Sequence, residues 1–303
     1  MSIRMTTVDW RRLRAGLGFT ALWIVGFGVF TLYPVLASLY YSFCDYSVLQ
    51  RPLWIGLENY RTLAGDDVFW LSLRNTLIFA GAAVPLGTVV SLALALLLNQ
   101  DVRGRALFRT LFFLPSIVPL VASAMLWLWI FNGSGGLLNW ALAPVFSLWG
   151  GAPPAWLGDP AWAKPALILM SAWGAGHSMI IYLAGLQDVP RELYESADLD
   201  GAGRWTKFWH ITLPMISPVI YFNVVMSIIG AMQVFTTAFV MTGGTDGNPA
   251  RSTLFYALYL FSSAFYDLRM GYASAMAWIL FMLIATLTWI ATRVAARKVH
   301  YND

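Results

Sequence analysis

The strongest constraint in this sequence is a series of apolar blocks, each long enough to cross a membrane, separated by more polar segments. A helix of about 20 residues crosses a hydrocarbon core of about 30 Å. Main-chain groups in lipid must be paired within the segment, so each block is predicted to be a helix. Only 11% of the residues are charged, against about a quarter in soluble domains. We therefore predict an all-α polytopic membrane protein. Its six predicted spans are residues 16–41, 71–98, 107–131, 165–185, 216–241 and 270–292.

The basic residues are unevenly distributed between the segments that join these spans. Most of the 19 Lys and Arg residues fall in the two termini and in the segments between spans 2 and 3 and spans 4 and 5. Because Lys and Arg concentrate on the cytoplasmic side, both termini are predicted to be cytoplasmic. The first span is too long for a signal-peptide core and is expected to be retained. The predicted parts are tails at 1–15 and 293–303, a transmembrane domain at 16–292 and a cytoplasmic loop at 187–215.

Several kinds of functional group are missing from the sequence. No span has Asp, Glu, Lys or Arg at its centre, and His177 is the one titratable exception of the kind that ion-coupled sites use. A phosphate-binding G-x-x-x-x-G-K-[ST] loop is absent, since the three lysines precede Pro165, Phe208 and Val299. The single cysteine, Cys44, and three scattered histidines predict no metal site. The chain is therefore predicted to bind no cofactor and to have no catalytic residues. If it pumps, ATP is hydrolysed on another chain.

The segment between spans 4 and 5 has the pattern of two short helices joined by a glycine. Pro190 suits a first helical turn, and Glu192 and Glu195 follow near the positive end of the helix dipole. Gly201 can adopt the left-handed conformation that ends a helix. Beyond it, apolar residues recur at helical spacing. They are Trp205, Phe208, Trp209 and Leu213. Such helices could dock on a partner or pack on the protein's own bundle, and the spacing leaves both readings open.

This segment resembles the EAA signature of ABC importer permeases, in which Glu-Ala-Ala, Asp-Gly-Ala, Phe, Ile and Leu-Pro stand at fixed offsets. The matching residues are Glu195, Ser196, Ala197, Asp200, Gly201, Ala202, Phe208, Ile211, Leu213 and Pro214. Ser196 is the one departure, a small residue in place of Ala. In that family the loop is the coupling helix, which docks in a cleft of the ATPase subunit. The resemblance implies that these residues couple the membrane helices to ATP hydrolysis.

Three further motifs extend the resemblance to the carbohydrate importers of the maltose and glycerol-phosphate type. They are residues 54–60 (WIGLENY), 113–119 (FLPSIVP) and 242–244 (TGG). The resemblance implies a type I ABC importer permease fold in the cytoplasmic membrane of a bacterium or archaeon. The implied partners are a second permease subunit, two ATPase subunits that carry ATP and Mg, and an extracytoplasmic solute-binding protein. Outer segments 45–70 and 243–267 are expected to meet that binding protein, and no nucleic-acid partner is expected.

Candidate substrate contacts are uncharged polar and aromatic residues in the middle of spans, because sugars are bound by stacking and neutral hydrogen bonds. The candidates are Ser116, Trp173, Gly174, His177, Ser227, Gln233 and Thr237. By the resemblance, Trp173, Gly174 and Ser227 match sugar contacts of maltose-type permeases. Ala231 and Val234 are apolar where the maltose type has amides, which argues against maltose itself. Polar residues in membrane bundles also serve helix packing, the role expected for Asn223.

Two features of the spans leave alternatives open. Prolines lie inside or near the ends of several spans and fit either a transport pathway or plain helix bending. They are Pro34, Pro85, Pro115 and Pro119. Tryptophans near span ends are expected to be interfacial anchors. They are Trp10, Trp54, Trp70, Trp149, Trp156 and Trp162. A standalone facilitator would leave the EAA-like loop unexplained, a scaffold would leave the polar mid-span residues unexplained, and the loop signature belongs to importers rather than exporters.

Overall fold

The computed structural model describes residues 7–101, 103–148, 150–151 and 153–295. The predictions made for Trp149 and for the ends of the two tails, residues 1–6 and 296–303, lie outside these residues. The chain divides into two compact units. The first unit consists of the residues up to Gly65 together with Ser263–Trp278, and the second of Asp66–Ser262 together with the residues from Ile279 onward.

The first unit begins with a long helical rod that contains the predicted first span. It consists of α1 (Thr7–Phe27), a π-helical turn (Gly28–Leu32) and α2 (Tyr33–Ser42). The helix therefore starts well before residue 16, inside the predicted N-terminal tail. Pro34 has no N–H to donate, and the helix widens into the π turn just before it. The most apolar stretch of this rod is not buried within the protein, as expected for a helix that faces lipid.

A small hairpin and a short helix follow the rod. Strands β1 (Cys44–Asp45) and β2 (Leu53–Trp54) pair antiparallel, and α3 (Glu58–Ala64) comes next. The side-chain amide of Asn59 donates hydrogen bonds to the carbonyl oxygens of Ser42 (3.0 Å) and Cys44 (2.9 Å). Asn59 thereby fixes the end of the rod against the hairpin, which gives the 54–60 motif a structural role.

The second unit is built around one long helix, α4 (Asp67–Asn99). Its first turn is capped by Asp66, whose Oδ1 accepts a 2.8 Å hydrogen bond from the Val68 N–H. The helix contains the predicted second span and continues through Pro85. The next five helices of this unit follow α4 along the chain. They are α5 (Arg105–Ile117), α6 (Leu120–Ile130), α7 (Leu137–Leu148), α8 (Pro160–Trp173) and α9 (Gly176–Gln187).

The helices that complete the chain come after residue 190. They are α10 (Arg191–Leu199), α11 (Arg204–Lys207) with a π-helical continuation (Phe208–Thr212), α12 (Leu213–Met215), α13 (Ser217–Met232), α14 (Thr236–Met241), α15 (Tyr256–Phe265) and α16 (Met270–Ala295). Helix α16 contains the predicted sixth span.

Spans 3, 4 and 5 were each predicted as one helix, and the structure divides each of them into two helices. Helices α5 and α6 meet at an angle of 100°, and α8 and α9 at 46°. The fifth predicted span ends its first helix at Met232 and resumes at Thr236. Pro119 explains the sharpest bend, because a proline disfavours helical geometry in the residue before it and Val118 is extended with ψ 131°.

Three helices of the described chain are each long and apolar enough to cross a membrane, namely Arg14–Ser42, Asp67–Asn99 and Met270–Ala295. Three bent pairs pass the same test jointly, including Arg204–Met215 with Ser217–Met232 at 66°. The described residues therefore provide between three and six possible crossings.

Two apolar clusters hold the second unit together. One is centred on Phe79, Phe131 and Phe255, and the other on Tyr182 and Ile216. Trp156, predicted to anchor at the membrane interface, is instead 7% exposed and belongs to the first cluster. Its indole N–H donates a 2.6 Å hydrogen bond to the Asn139 side chain. The interfacial interpretation of Trp156 is therefore wrong, because a partner for the indole nitrogen is available inside the protein.

Candidate transport cavity and coupling loop

A cavity of about 750 Å³ lies between the broken helices of the second unit. All three interruptions line it, with Val118 from the α5–α6 bend, Gly174 from the α8–α9 bend and Gln233 from the α13–α14 break. A break ends one helical hydrogen-bond ladder and begins another, so main-chain groups there lack regular helical partners. Interrupted membrane helices commonly build ligand sites in this way.

The structure brings all seven predicted substrate residues to this cavity. They are Ser116, Trp173, Gly174, His177, Ser227, Gln233 and Thr237. Ala231 and Val234, the apolar replacements for the maltose-type amides, line it as well. Asn223 does not line it. Asn223 is buried and donates a 3.0 Å hydrogen bond to the Val219 carbonyl, consistent with the structural role expected for it.

The chemical character of the lining is neutral. Among the described residues that line the cavity there is no Asp, Glu, Lys or Arg. The Trp173 ring is partly exposed and packs edge-on against Trp127, with 5.9 Å between ring centroids. The Ser116 hydroxyl donates to the Phe113 carbonyl at 2.6 Å, which leaves its oxygen lone pairs available to accept. An aromatic face beside hydroxyl and amide groups suits a polyhydroxylated, uncharged surface.

Several polar residues that were not predicted from the sequence line the same cavity. They are Thr88, Ser91, Ser123, Ser171, Ser178 and Tyr182. Thr88 and Ser91 lie in the middle of predicted span 2, so the polar mid-span criterion applied to that span would have found them. Ser91 also supports the α8–α9 bend, because its hydroxyl donates a 3.1 Å hydrogen bond to the Ala175 carbonyl oxygen.

The loop between α9 and α13 has the predicted two-helix form. Gly201 follows α10 with φ +72°, which confirms the left-handed glycine. The Ala202 N–H donates back to the Ala197 carbonyl at 2.9 Å, as in a Schellman cap. Lys207 of α11 forms an ion pair with Asp198 of α10. The turn therefore fixes the relative direction of the two helices.

One face of this loop packs on the membrane helices of its own unit. The Tyr194 and Thr212 hydroxyls lie 2.9 Å apart in a hydrogen bond. Tyr194 and Ile211 pack against the cluster that contains Val189 and Ile216. Ile211, predicted to couple to the ATPase, therefore serves at least to attach the loop to the bundle.

The opposite face of the loop is uncovered. Glu195 and Ser196 are exposed on α10, and the large apolar side chains Leu199 and Trp205 are 91% and 76% exposed. The predicted coupling residues divide between the two faces. Glu195, Ser196, Asp200 and Gly201 are exposed, and Ala197, Ala202, Phe208, Ile211, Leu213 and Pro214 are partly buried. Exposed apolar patches rimmed by polar residues are typical of surfaces that bind another protein, a membrane or a ligand.

The fold and these two sites define a helical membrane permease with an internal neutral cavity and an uncovered loop at one side. The chain belongs to the family of binding-protein-dependent transport system inner membrane components, which residues 83–301 match. This confirms the resemblance to ABC importer permeases found in the sequence. Within the described residues no cluster of His, Cys, Asp or Glu is placed to hold a metal ion.

The curated relatives are permeases of similar length. The probable ABC transporter permease protein YesP of Bacillus subtilis is 42% identical, over 95% of this chain and 93% of that protein. The lactose transport system permease protein LacF of Rhizobium radiobacter is 38% identical, over 92% and 93%. Among solved structures, a bacterial alginate ABC transporter in complex with its pentasaccharide-bound periplasmic protein superposes with a TM-score of 0.81 at 26% identity, over 97% of both chains.

Proposed function

We propose that this chain is the non-catalytic permease subunit of an ATP-driven, binding-protein-dependent importer of a sugar or sugar derivative. It spans the membrane six times with both termini in the cytoplasm, and forms half of the pathway beside a second permease subunit. The observation that carries the proposal is the neutral cavity, where three helix breaks meet Trp173 and a group of hydroxyl side chains. Relatives whose names refer to lactose, trehalose or maltose support a carbohydrate substrate.

The uncovered face of the 187–215 loop supports coupling to an ATPase subunit. Leu199, Trp205 and Trp209 present apolar surface to solvent beside Glu195. Burying that surface in a partner would stabilise the complex by roughly 25 cal/mol per Å² of apolar area. ATP and Mg bind to the partner ATPase chains, and ATP-driven closure of those chains moves the loop and alternates access to the cavity. An extracytoplasmic solute-binding protein delivers the substrate from the other side.

Co-purification from native membranes tests the proposal. The tagged chain is expected to bring down a second permease and an ATPase. Glu195→Lys, which inverts a charge inside the EAA-like motif, is expected to lose the ATPase. Glu192→Lys inverts an exposed charge on the same helix outside the motif and serves as the matched control. A folded native chain that purifies alone would overturn the importer assignment and favour a standalone facilitator.

A second experiment tests the substrate class. The co-purified binding protein is screened against neutral sugars, phosphorylated sugars and uronates, and its ligand is then used for uptake in proteoliposomes. Uptake that requires both ATP and the binding protein supports the proposal. Uptake of the same ligand without ATP would contradict it.

A further inference from the structure

Helix α7 (Leu137–Leu148) lies in a segment that has no charge at all. Residues 131–158 contain no Asp, Glu, Lys, Arg or His. A connection of this length in water normally carries charged side chains. The helix of 12 residues is about 18 Å long, too short to cross a core of about 30 Å. It is therefore an apolar, uncharged helix that does not span.

Both faces of α7 are apolar, but only one is covered. Leu138 and Leu142 pack against the core cluster around Phe131. On the other face, Trp140 is 76% exposed and Leu148 83% exposed. A helix that is apolar all round is normally buried on all sides, so the uncovered face requires an apolar environment.

The helix is held firmly in this position. Asn139, which is buried at the start of α7, accepts a 2.6 Å hydrogen bond from the Trp156 indole and donates one of 2.9 Å to the Gly133 carbonyl. These bonds tie the helix to the segments before and after it. The uncovered face is therefore presented in a fixed orientation.

A groove joins this face to the exposed surface of α6. The groove has a volume of about 570 Å³, and two exposed tryptophans, Trp129 of α6 and Trp140 of α7, line it. Gly133, Gly135 and Gly136 line it without side chains that would fill the space. Leu126 and Trp129 on α6 are themselves large exposed apolar residues of a helix whose composition suits lipid. The uncovered face of α7 thus continues the exposed apolar surface of a helix that is a candidate for crossing the membrane.

We infer that α7 lies in the plane of the membrane, with Trp140, Val145 and Leu148 inserted among phospholipid acyl chains and the Trp129–Trp140 groove holding one such chain. Tryptophan favours this depth, where the ring meets acyl chains and the indole N–H meets headgroups or water. The uncharged face fits a neutral hydrocarbon, because the transfer of apolar surface from water into acyl chains is favourable. The inference requires only that the chain lies in a membrane and is independent of the transported substrate.

Site-directed spin labelling of the assembled transporter in phospholipid bilayers tests this inference. Cys44 is buried and is replaced by Ser, so that a single cysteine can be placed elsewhere. A nitroxide is attached at Leu148→Cys, or at Val145→Cys if the first variant does not assemble. Asp246→Cys, at an exposed acidic position of another connecting loop, is the matched water-facing control. Collision rates with oxygen, which concentrates in lipid, and with a water-soluble nickel chelate are measured at each site.

The expected result is a ratio of oxygen to nickel accessibility at position 148 that is clearly above the ratio at the control position 246. A ratio equal to the control would place α7 in water and overturn the inference. Low accessibility to both reagents would show that protein, either the second permease or the binding protein, covers the face, and would overturn it equally.

Discussion

The Nζ atom of Lys164 donates a hydrogen bond of 2.9 Å to the Oδ1 atom of Asn75. Asn75 is 2% exposed, and its amide nitrogen donates in turn to the carbonyl oxygens of Arg251 (2.9 Å) and Leu254 (3.0 Å). Two cavity-lining helices, α4 and α8, are thereby joined to the segment that precedes α15. Arg251 has φ +57°, an uncommon conformation for a residue with a side chain. The Asn75 amide therefore helps to hold a strained backbone in place.

Replacing Asn75 with Leu is expected to lower the free energy of unfolding by about 1–3 kcal/mol, because two buried carbonyls and the Lys164 ammonium lose their partner. Thermal unfolding in detergent measures this, and hydrogen exchange is expected to rise in residues 247–256. Asn99→Leu changes an exposed Asn at the end of the same helix and is expected to have little effect. Equal effects of the two substitutions would contradict the assigned role of Asn75.

Gly176→Ala is expected to prevent stable folding or to lower the melting temperature strongly. A Cβ at Gly176 would collide with the main chain of Phe112, so α9 and α5 would have to separate. Gly81→Ala is the control, because a Cβ on that helical glycine meets nothing within 4 Å. The control is expected to be neutral or more stable by up to about 1 kcal/mol. Normal yield and stability of the Gly176 variant would show that the two helices are not this close.

Gly201→Ala is expected to weaken association with the ATPase, because its φ of +72° costs an alanine about 1–2 kcal/mol. Gly203→Ala is the matched control in the same loop, since Gly203 has φ −70° and tolerates a side chain. Pull-down of the ATPase by each variant gives the comparison, and Gly201→Asn is expected to recover part of the loss. Equal retention of the ATPase by all variants would mean that the turn geometry is unimportant for docking.

Trp173→Leu is expected to raise the KM for uptake roughly 2–10-fold, from the loss of about 0.5–1.5 kcal/mol of aromatic interaction. Assembly with the ATPase is expected to be unchanged, since Trp173 lies on the cavity and not on the coupling loop. Trp289→Leu, at an exposed tryptophan on α16 that does not line the cavity, is the control. Uptake is measured with the ligand of the co-purified binding protein. An unchanged KM in the Trp173 variant, or an equal rise in both variants, would remove Trp173 from the pathway.

Hydropathy located the apolar helices well, but it could not show where they bend or by how much. Predicted spans 2 and 6 lie within single helices because composition alone determines a straight apolar helix. Pro119 was named among the prolines that fit either a pathway or plain helix bending, but a count of apolar residues could not give the 100° angle between α5 and α6, which follows from the restriction that the proline places on Val118. The α8–α9 bend has only Gly174 as a local signal. Its position depends on packing, including the hydrogen bond from Ser91, a residue far away in sequence.

The candidate site was predictable only in part. Mid-span polar residues of spans 4 and 5 were found by their chemistry, and the cavity gathers them. Trp156 was misassigned, because nothing in the local sequence shows that Asn139 lies within reach of its indole. Which polar residues share a cavity is a property of the tertiary arrangement, and a one-dimensional pattern does not contain it.

The three helix breaks around the cavity affect how its selectivity could be changed. Each break ends a helix whose last carbonyls lack partners within it, so the groups that a ligand could meet near Val118, Gly174 and Gln233 include peptide carbonyls, which every side-chain substitution leaves in place. Alanine scanning would therefore under-report what holds the ligand. Redesign for a different cargo would have to shift the positions of the breaks, by moving a proline or a glycine along the helix, rather than exchange the side chains of the lining.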